Sequence, residues 1–157
     1  MLTEKDYCDY DTCVALKELG FRERCVAYYD TADNVRLLYN TQYTCNVIPC
    51  QYDDLLESRN SATEYEVDAP TLYEAQKWLR EEKRICVEVD CCAGGYVWDL
   101  CKAYHKDWFS GGTTIYTHCC EDNAINPLLN DCGKYDSYED ALLEGIKEAI
   151  EILKEEK

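Results

Sequence analysis

The sequence predicts an α+β domain: an antiparallel sheet of hairpin-connected strands with two or three helices packed on one face. Three observations carry this. Apolar residues recur at helical spacing near 11 to 19, 71 to 84 and 137 to 153. Short runs of β-branched and aromatic residues stand beside turn signals. The strand runs also follow each other too closely for crossover connections, so they pair as antiparallel hairpins. With 157 residues, 46% of them apolar and 12% aromatic, the chain has the material for one domain spanning 1–157.

In the first helix, Asp11 and Thr12 are cap candidates, Cys13, Leu16 and Leu19 are spaced by three, and Gly20 followed by Phe21 is a stop. "CVAYY" (25 to 29) and "VRLLY" (35 to 39) read as strands around a five-residue hairpin loop, "DTADN", and 43 to 48 reads as a further short strand. From 50 to 70 the chain is polar and aperiodic and closes on a proline, which predicts an irregular connection. Thr71 and Glu74 then form a capping box, and Leu72, Ala75, Trp78 and Leu79 line the apolar side of a helix running to about Arg84. "ICVEV" (85 to 89) and "YVWDLCKAY" (96 to 104) alternate around Gly94-Gly95, a pair able to supply the positive φ of a tight turn. "TTIYTH" (113 to 118) is a third strand. Ser137 and Asp140 open the last helix, whose Leu142, Ile146, Ala149, Ile150 and Leu153 keep the helical period. The blocks "DTCVALKELGFRERCVAYYD" and "LYEAQKWLREEKRICVEVD" share a helix-turn-strand pattern about sixty residues apart, which predicts an internal α-β-β duplication.

The formal charge is −16, from 32 acidic and 16 basic residues. A negative surface disfavours long nucleic acids, whose binding depends on Lys and Arg displacing counterions. No run approaches the roughly 18 apolar residues of a membrane span, and the start "MLTEKDYCDYD" is acidic where a signal peptide is basic. The expectation is a cytoplasmic protein without a membrane partner, its twelve cysteines held as thiols.

The cysteines do not follow zinc spacing. Cys8/Cys13 and Cys45/Cys50 are C-x4-C pairs, and the densest group is His118, Cys119, Cys120 and Cys132; small buried hydrophobes are the favoured reading, and no metal and no cofactor are expected. Cys86, Cys91, Cys92 and Cys101 are read in the same way. The two histidines, His105 and His118, offer no clear nucleophile-base pair, and no catalytic motif is present, which favours a non-enzymatic protein. The chemistry-bearing exception is "CKAYHKDWFSGG" (101 to 112), where Lys102, His105 and Lys106 interleave with Tyr104 and Trp108. Ammonium groups suit phosphates and aromatic faces suit bases, so this combination fits a small nucleotide. Lys77, Arg80 and Arg84, at i, i+3 and i+7, add a basic stripe to the preceding helix.

"DTCVALKELGFRERCVAYYD", "APTLYEAQKWLREEKRICVEV" and "YDSYEDALLEGIKEAIEIL" are similar to successive blocks of a family of small acidic proteins encoded by phages and prophages of gut anaerobic bacteria. The resemblance spans most of the chain and is weakest at 40 to 68 and 104 to 134. It implies an accessory protein working in the host cytoplasm and carries no activity over to any residue. The last block also resembles the closing strand and helix of HicB-type antitoxins through its S-Y-E-D-A pattern. Three functions follow as expectations. The first is a binding protein in phage-host conflict that sequesters a small nucleotide signal or inhibits a host defence protein. The second is an acidic DNA-mimic or antitoxin-like regulator, and the third a structural zinc or thiol protein. Tyrosines and tryptophans exposed around a sheet would suit a homodimer.

Overall fold

The computed structural model describes residues 2–39, 65–92, 94–102, 114–118 and 135–156, with backbone alone at Cys92 and 114–118. The chain divides into two compact units, Met1–Thr71 and Leu72–Lys157. The α+β class holds, and the strands are shared between two three-stranded antiparallel sheets. Among the described residues no helix is long and apolar enough to cross a membrane.

In the first unit, helix α1 (Tyr10–Glu18) starts one residue earlier than its spacing predicts, because Asp9 is the cap: its carboxylate accepts from the Thr12 backbone N–H at 3.0 Å. Thr12 itself is buried, and its Oγ1 has no hydrogen-bond partner among the described residues. Gly20 at φ 103 ends the helix as predicted. Its N–H donates to Lys17 O and that of Phe21 to Leu16 O, while Phe21 and Leu16 are both buried. This double bond pattern needs a left-handed residue, which glycine supplies without strain.

Strands β1 (Ala27–Asp30) and β2 (Arg36–Tyr39) form the expected hairpin, closed by the Asp30↔Arg36 pair and tightened where Asp30 Oδ1 accepts from the Ala32 N–H at 2.9 Å. Strand β3 (Glu66–Ala69) occupies the other edge of β1, giving the order β2-β1-β3. The reading of 50–70 as irregular is corrected at these four residues. Glu, Asp and Ala are poor strand formers, so pairing with β1 and burial of Val67 and Ala69 decide the conformation, not local propensity. The rest of that connection and the strand expected at 43 to 48 lie outside the described residues.

Cys8, Cys13 and Tyr29 meet beside α1. The Cys8 carbonyl accepts from Tyr29 Oη at 3.0 Å and from Cys13 Sγ at 3.5 Å. Burial holds the Cys13 thiol above its ordinary pKa, helped by the charges of Asp9 and Asp68. Burial likewise pushes up the Tyr29 phenol, with Cys13, Asp9, Cys8 and Glu4 adding to it. Both groups are neutral when protonated, so the folded state keeps their protons more tightly than the unfolded chain does. This stabilisation is complete below the ordinary thiol pKa of about 8.5 and is lost as pH rises above it. Stability should therefore fall above that pH, with Cys13 alone contributing up to about 1.4 kcal/mol per pH unit. Urea titrations at a series of alkaline pH values test this: the slope should be shallower in Cys13→Ala, and identical slopes would contradict the buried placement of this thiol.

In the second unit, helix α2 (Leu72–Glu82) is followed by the meander β4 (Ile85–Cys92), β5 (Gly95–Lys102) and β6 (Thr114–His118), then by helix α3 (Tyr138–Glu155). Gly94 turns the β4–β5 hairpin at φ 107. Ser137 caps α3, accepting from the Asp140 N–H at 3.1 Å. One sheet face presents Ile85, Val87, Trp98 and Leu100, all buried; α3 packs on β4 and β5, α2 packs on β4, and the two helices touch. Gly145 brings α3 down onto this face, since a Cβ there would lie 2.6 Å from Val87 Cγ1. Tyr135 pairs directly with β5, exchanging both backbone bonds with Tyr96, and its Oη accepts from the Trp98 indole N–H at 3.2 Å.

Both units open in α-β-β order, as the internal repeat predicts, but the third strand joins differently. In the first unit β3 pairs with the first strand of the hairpin, and in the second β6 pairs with the second strand. Cys25 and Cys86, equivalent in the sequence alignment, also differ: Cys25 precedes its strand and is buried, whereas Cys86 lies within β4 and is half-buried.

Candidate functional site

The described cations of the predicted site gather at one end of the second sheet. Lys102 is the last residue of β5 and the Cα partner of Ile85, the first residue of β4. Arg84 immediately precedes Ile85, so the two cations flank the same end of the ladder. Arg80, on the last turn of α2, lies close enough to Cys86, the next residue along β4, to favour its thiolate. Lys77 is exposed one turn further back. The site loop also departs from this end, since Lys102 leads into it; Tyr104, His105, Lys106 and Trp108 lie outside the described residues.

The expected helical stripe needs one correction. Helix α2 ends at Glu82, with a last bond from the Lys83 N–H to Leu79 O at 3.1 Å, so Arg84 is beyond the helix. Arg84 adopts φ 62, the only non-glycine positive φ among the described residues. Gly20 supplies this conformation at the end of α1; a side chain there costs about 1–2 kcal/mol. Lys83, which the helical reading passes over, lies with its Nζ 5.1 Å from the Trp78 ring centroid.

Carboxylates temper this corner. Lys102 Nζ is 3.7 Å from Glu156 and Arg80 is 3.8 Å from Glu81, all of them substantially exposed, so each pair contributes little stability and leaves the cations open to competition from a stronger anion. Cations at this position also complement the C-terminal end of the α2 dipole.

The opposite sheet face from the helices carries Cys86 and Cys101 as direct partners, with Glu88 paired to Asp99 one step along. Burial raises the pKa of both thiols. For Cys86 the Glu88 charge adds to the rise and Arg80 opposes it; for Cys101 Glu88, Asp99 and Cys86 all add. Of the cysteines read as core filler on these strands, Cys101 is buried, Cys86 half-buried and Cys91 exposed; Cys91 shares the face of Ile85 and Val87 but lies at the turn end of β4. Among the described residues no group of three or more His, Cys, Asp or Glu is arranged to hold a metal ion. Cys119, Cys120 and Cys132 lie outside them.

Comparison with protein-family models, curated proteins and solved structures finds no match for this chain.

Proposed function

We propose that this chain is a non-enzymatic binding protein acting inside the host cell in phage-host conflict, and that the corner formed by Arg80, Arg84 and Lys102 captures a small phosphate-bearing ligand of the nucleotide-signal class. One observation carries the reading: on a chain of charge −16, two arginines and a lysine gather at one end of the β4–β5 ladder, and one arginine is held in a backbone conformation that glycine adopts more cheaply. The aromatic residues that follow Lys102 in sequence are of the type that stacks on bases.

Calorimetry and thermal-shift measurements with cyclic and linear nucleotides test this directly. A bound nucleotide should raise the melting temperature, and Arg80→Ala or Lys102→Ala should weaken its binding about tenfold, the loss of one charge-assisted contact. Arg84→Gly separates function from fold, because it should stabilise the unliganded protein by about 1 kcal/mol while weakening the nucleotide. Unchanged affinity in all three variants would exclude this corner. No response to any nucleotide, together with a stable complex with a host defence protein, would replace capture by inhibition.

A further inference from the structure

We infer that Cys86 and Cys101 form a redox-active dithiol that closes to a reversible cross-strand disulfide on exchange with a low-molecular-weight disulfide. The placement stands apart from any nucleotide binding, because it follows from the register of β4 and β5.

The two residues are Cα partners in an uninterrupted eight-pair ladder, so their side chains emerge on the same sheet face. Tyr96 gives both its N–H and its C=O to Tyr135, away from β4, so Cys91↔Tyr96 is a non-hydrogen-bonded pair. Val87 agrees: its carbonyl faces outward and accepts from Gln76 Nε2 at 2.7 Å, which makes Val87↔Leu100 the same type. Antiparallel pairs alternate, so Cys86↔Cys101, next to Val87↔Leu100, is hydrogen-bonded, with a Cα separation of about 5.5 Å. That value lies within the disulfide range of about 4.4–6.8 Å. The Cβ atoms of facing residues start about 4.5–5.5 Å apart and a disulfide draws them to about 3.8 Å, so the closed bond is strained and easily reduced.

The environment gives the two thiols different parts. Cys86 is half-buried and the effect of Glu88 on it is opposed by the positive charge of Arg80, whereas Cys101 is 9% exposed and Glu88 and Asp99 both add to its rise. Cys86 is therefore the entry thiol. Its thiolate attacks one sulfur of oxidised glutathione, forming a mixed disulfide and releasing one glutathione thiolate. The Cys101 thiolate then attacks Cys86 Sγ, forming the Cys86–Cys101 bond and releasing the second glutathione thiolate. The two cysteine protons end on the two released glutathiones; two protein thiols are oxidised and one disulfide is reduced.

The experiment equilibrates the full chain with glutathione buffers of graded oxidised-to-reduced ratio, blocks remaining thiols by alkylation in acid, and maps the products. Cleavage after Arg84, Glu88, Asp90, Asp99 and Lys102 places Cys86 in one peptide, Cys91 and Cys92 in another, and Cys101 in a third. The expected result is a linked 85–88/100–102 pair, formed before other cysteine pairs, lost in Cys86→Ser and in Cys101→Ser, and reopened by reduced glutathione in the same buffer series. Cys101→Ser should still accumulate glutathione on Cys86, a product that does not depend on strand closure. Preferential pairing of either cysteine with another, or alkylation of both under buffers that oxidise other cysteines, would overturn the proposal.

Discussion

Trp98→Ala should cost about 3–5 kcal/mol of stability, the range for removing a large aromatic side chain from a core. Trp98 is 7% exposed in the middle of β5, its Cβ and Cγ lie where Gly145 brings α3 onto the sheet, and its indole N–H reaches Tyr135 Oη. Truncation leaves a cavity bounded by a strand and a helix that cannot both collapse into it, and removes the indole N–H that donates to Tyr135 Oη. Trp98→Phe keeps most of the ring and loses the hydrogen bond, so it should cost much less; the bond itself contributes about 0.5–1.5 kcal/mol. Urea unfolding monitored by far-UV circular dichroism measures both variants. A loss below about 1 kcal/mol for the alanine variant would contradict the central packing role given to this residue.

Gly145→Leu is the second large effect. Replacing glycine in the middle of a helix ordinarily gains about 1 kcal/mol of helix propensity with alanine. Here the added Cβ would sit 2.6 Å from Val87 Cγ1 and 3.2 Å from Trp98 Cβ. Val87 is stiff at χ1 and belongs to a paired strand, so its methyl has little freedom to withdraw. Overpacking costs about 1–3 kcal/mol for modest insertions, which should cancel or exceed the propensity gain of Gly145→Ala. Leucine adds a whole side chain where there is no room, and its melting temperature should fall well below that of the alanine variant. An alanine variant that melts above the parent by the full propensity gain would mean that α3 stands further from the sheet than described.

How much of this was legible in the sequence depends on where the information resides. Helices α2 and α3 and the β4–β5 hairpin could be read because local signals agree: Ser137 at a cap, Gly94 at a turn, alternation on either side. Strand β3 could not, because its four residues carry weak propensity and become a strand only through β1, far away in sequence. Asp9 is not signalled as the cap because the helix begins on Tyr10, three residues before Cys13, the first residue of the apolar spacing. In the candidate site, Lys77 and Arg80 were placed correctly on α2, but a helix run to Arg84 overlooked its left-handed turn. The Cys86–Cys101 pair is not given by the glycine pair alone: a turn centred on Gly94-Gly95 counts Cys86 opposite position 103, whereas the observed register, in which Gly95 already faces Cys92, sets it opposite Cys101. Reading each cysteine singly, by its tendency to be buried, hid a property that belongs to the pair.

The two kinds of strand connection place different limits on how the chain can change length. Strand β3 joins β1 across a long stretch of sequence, so its pairing does not depend on the geometry of a tight turn. The turn from Cys92 to Gly95 has no such latitude. A slip of one residue there would carry Trp98 out of the core and Cys101 away from Cys86 in the same movement. Insertions and deletions should therefore be excluded at the C-terminal hairpin, whose turn length holds both the packing of one sheet face and the pairing of the cysteines on the other.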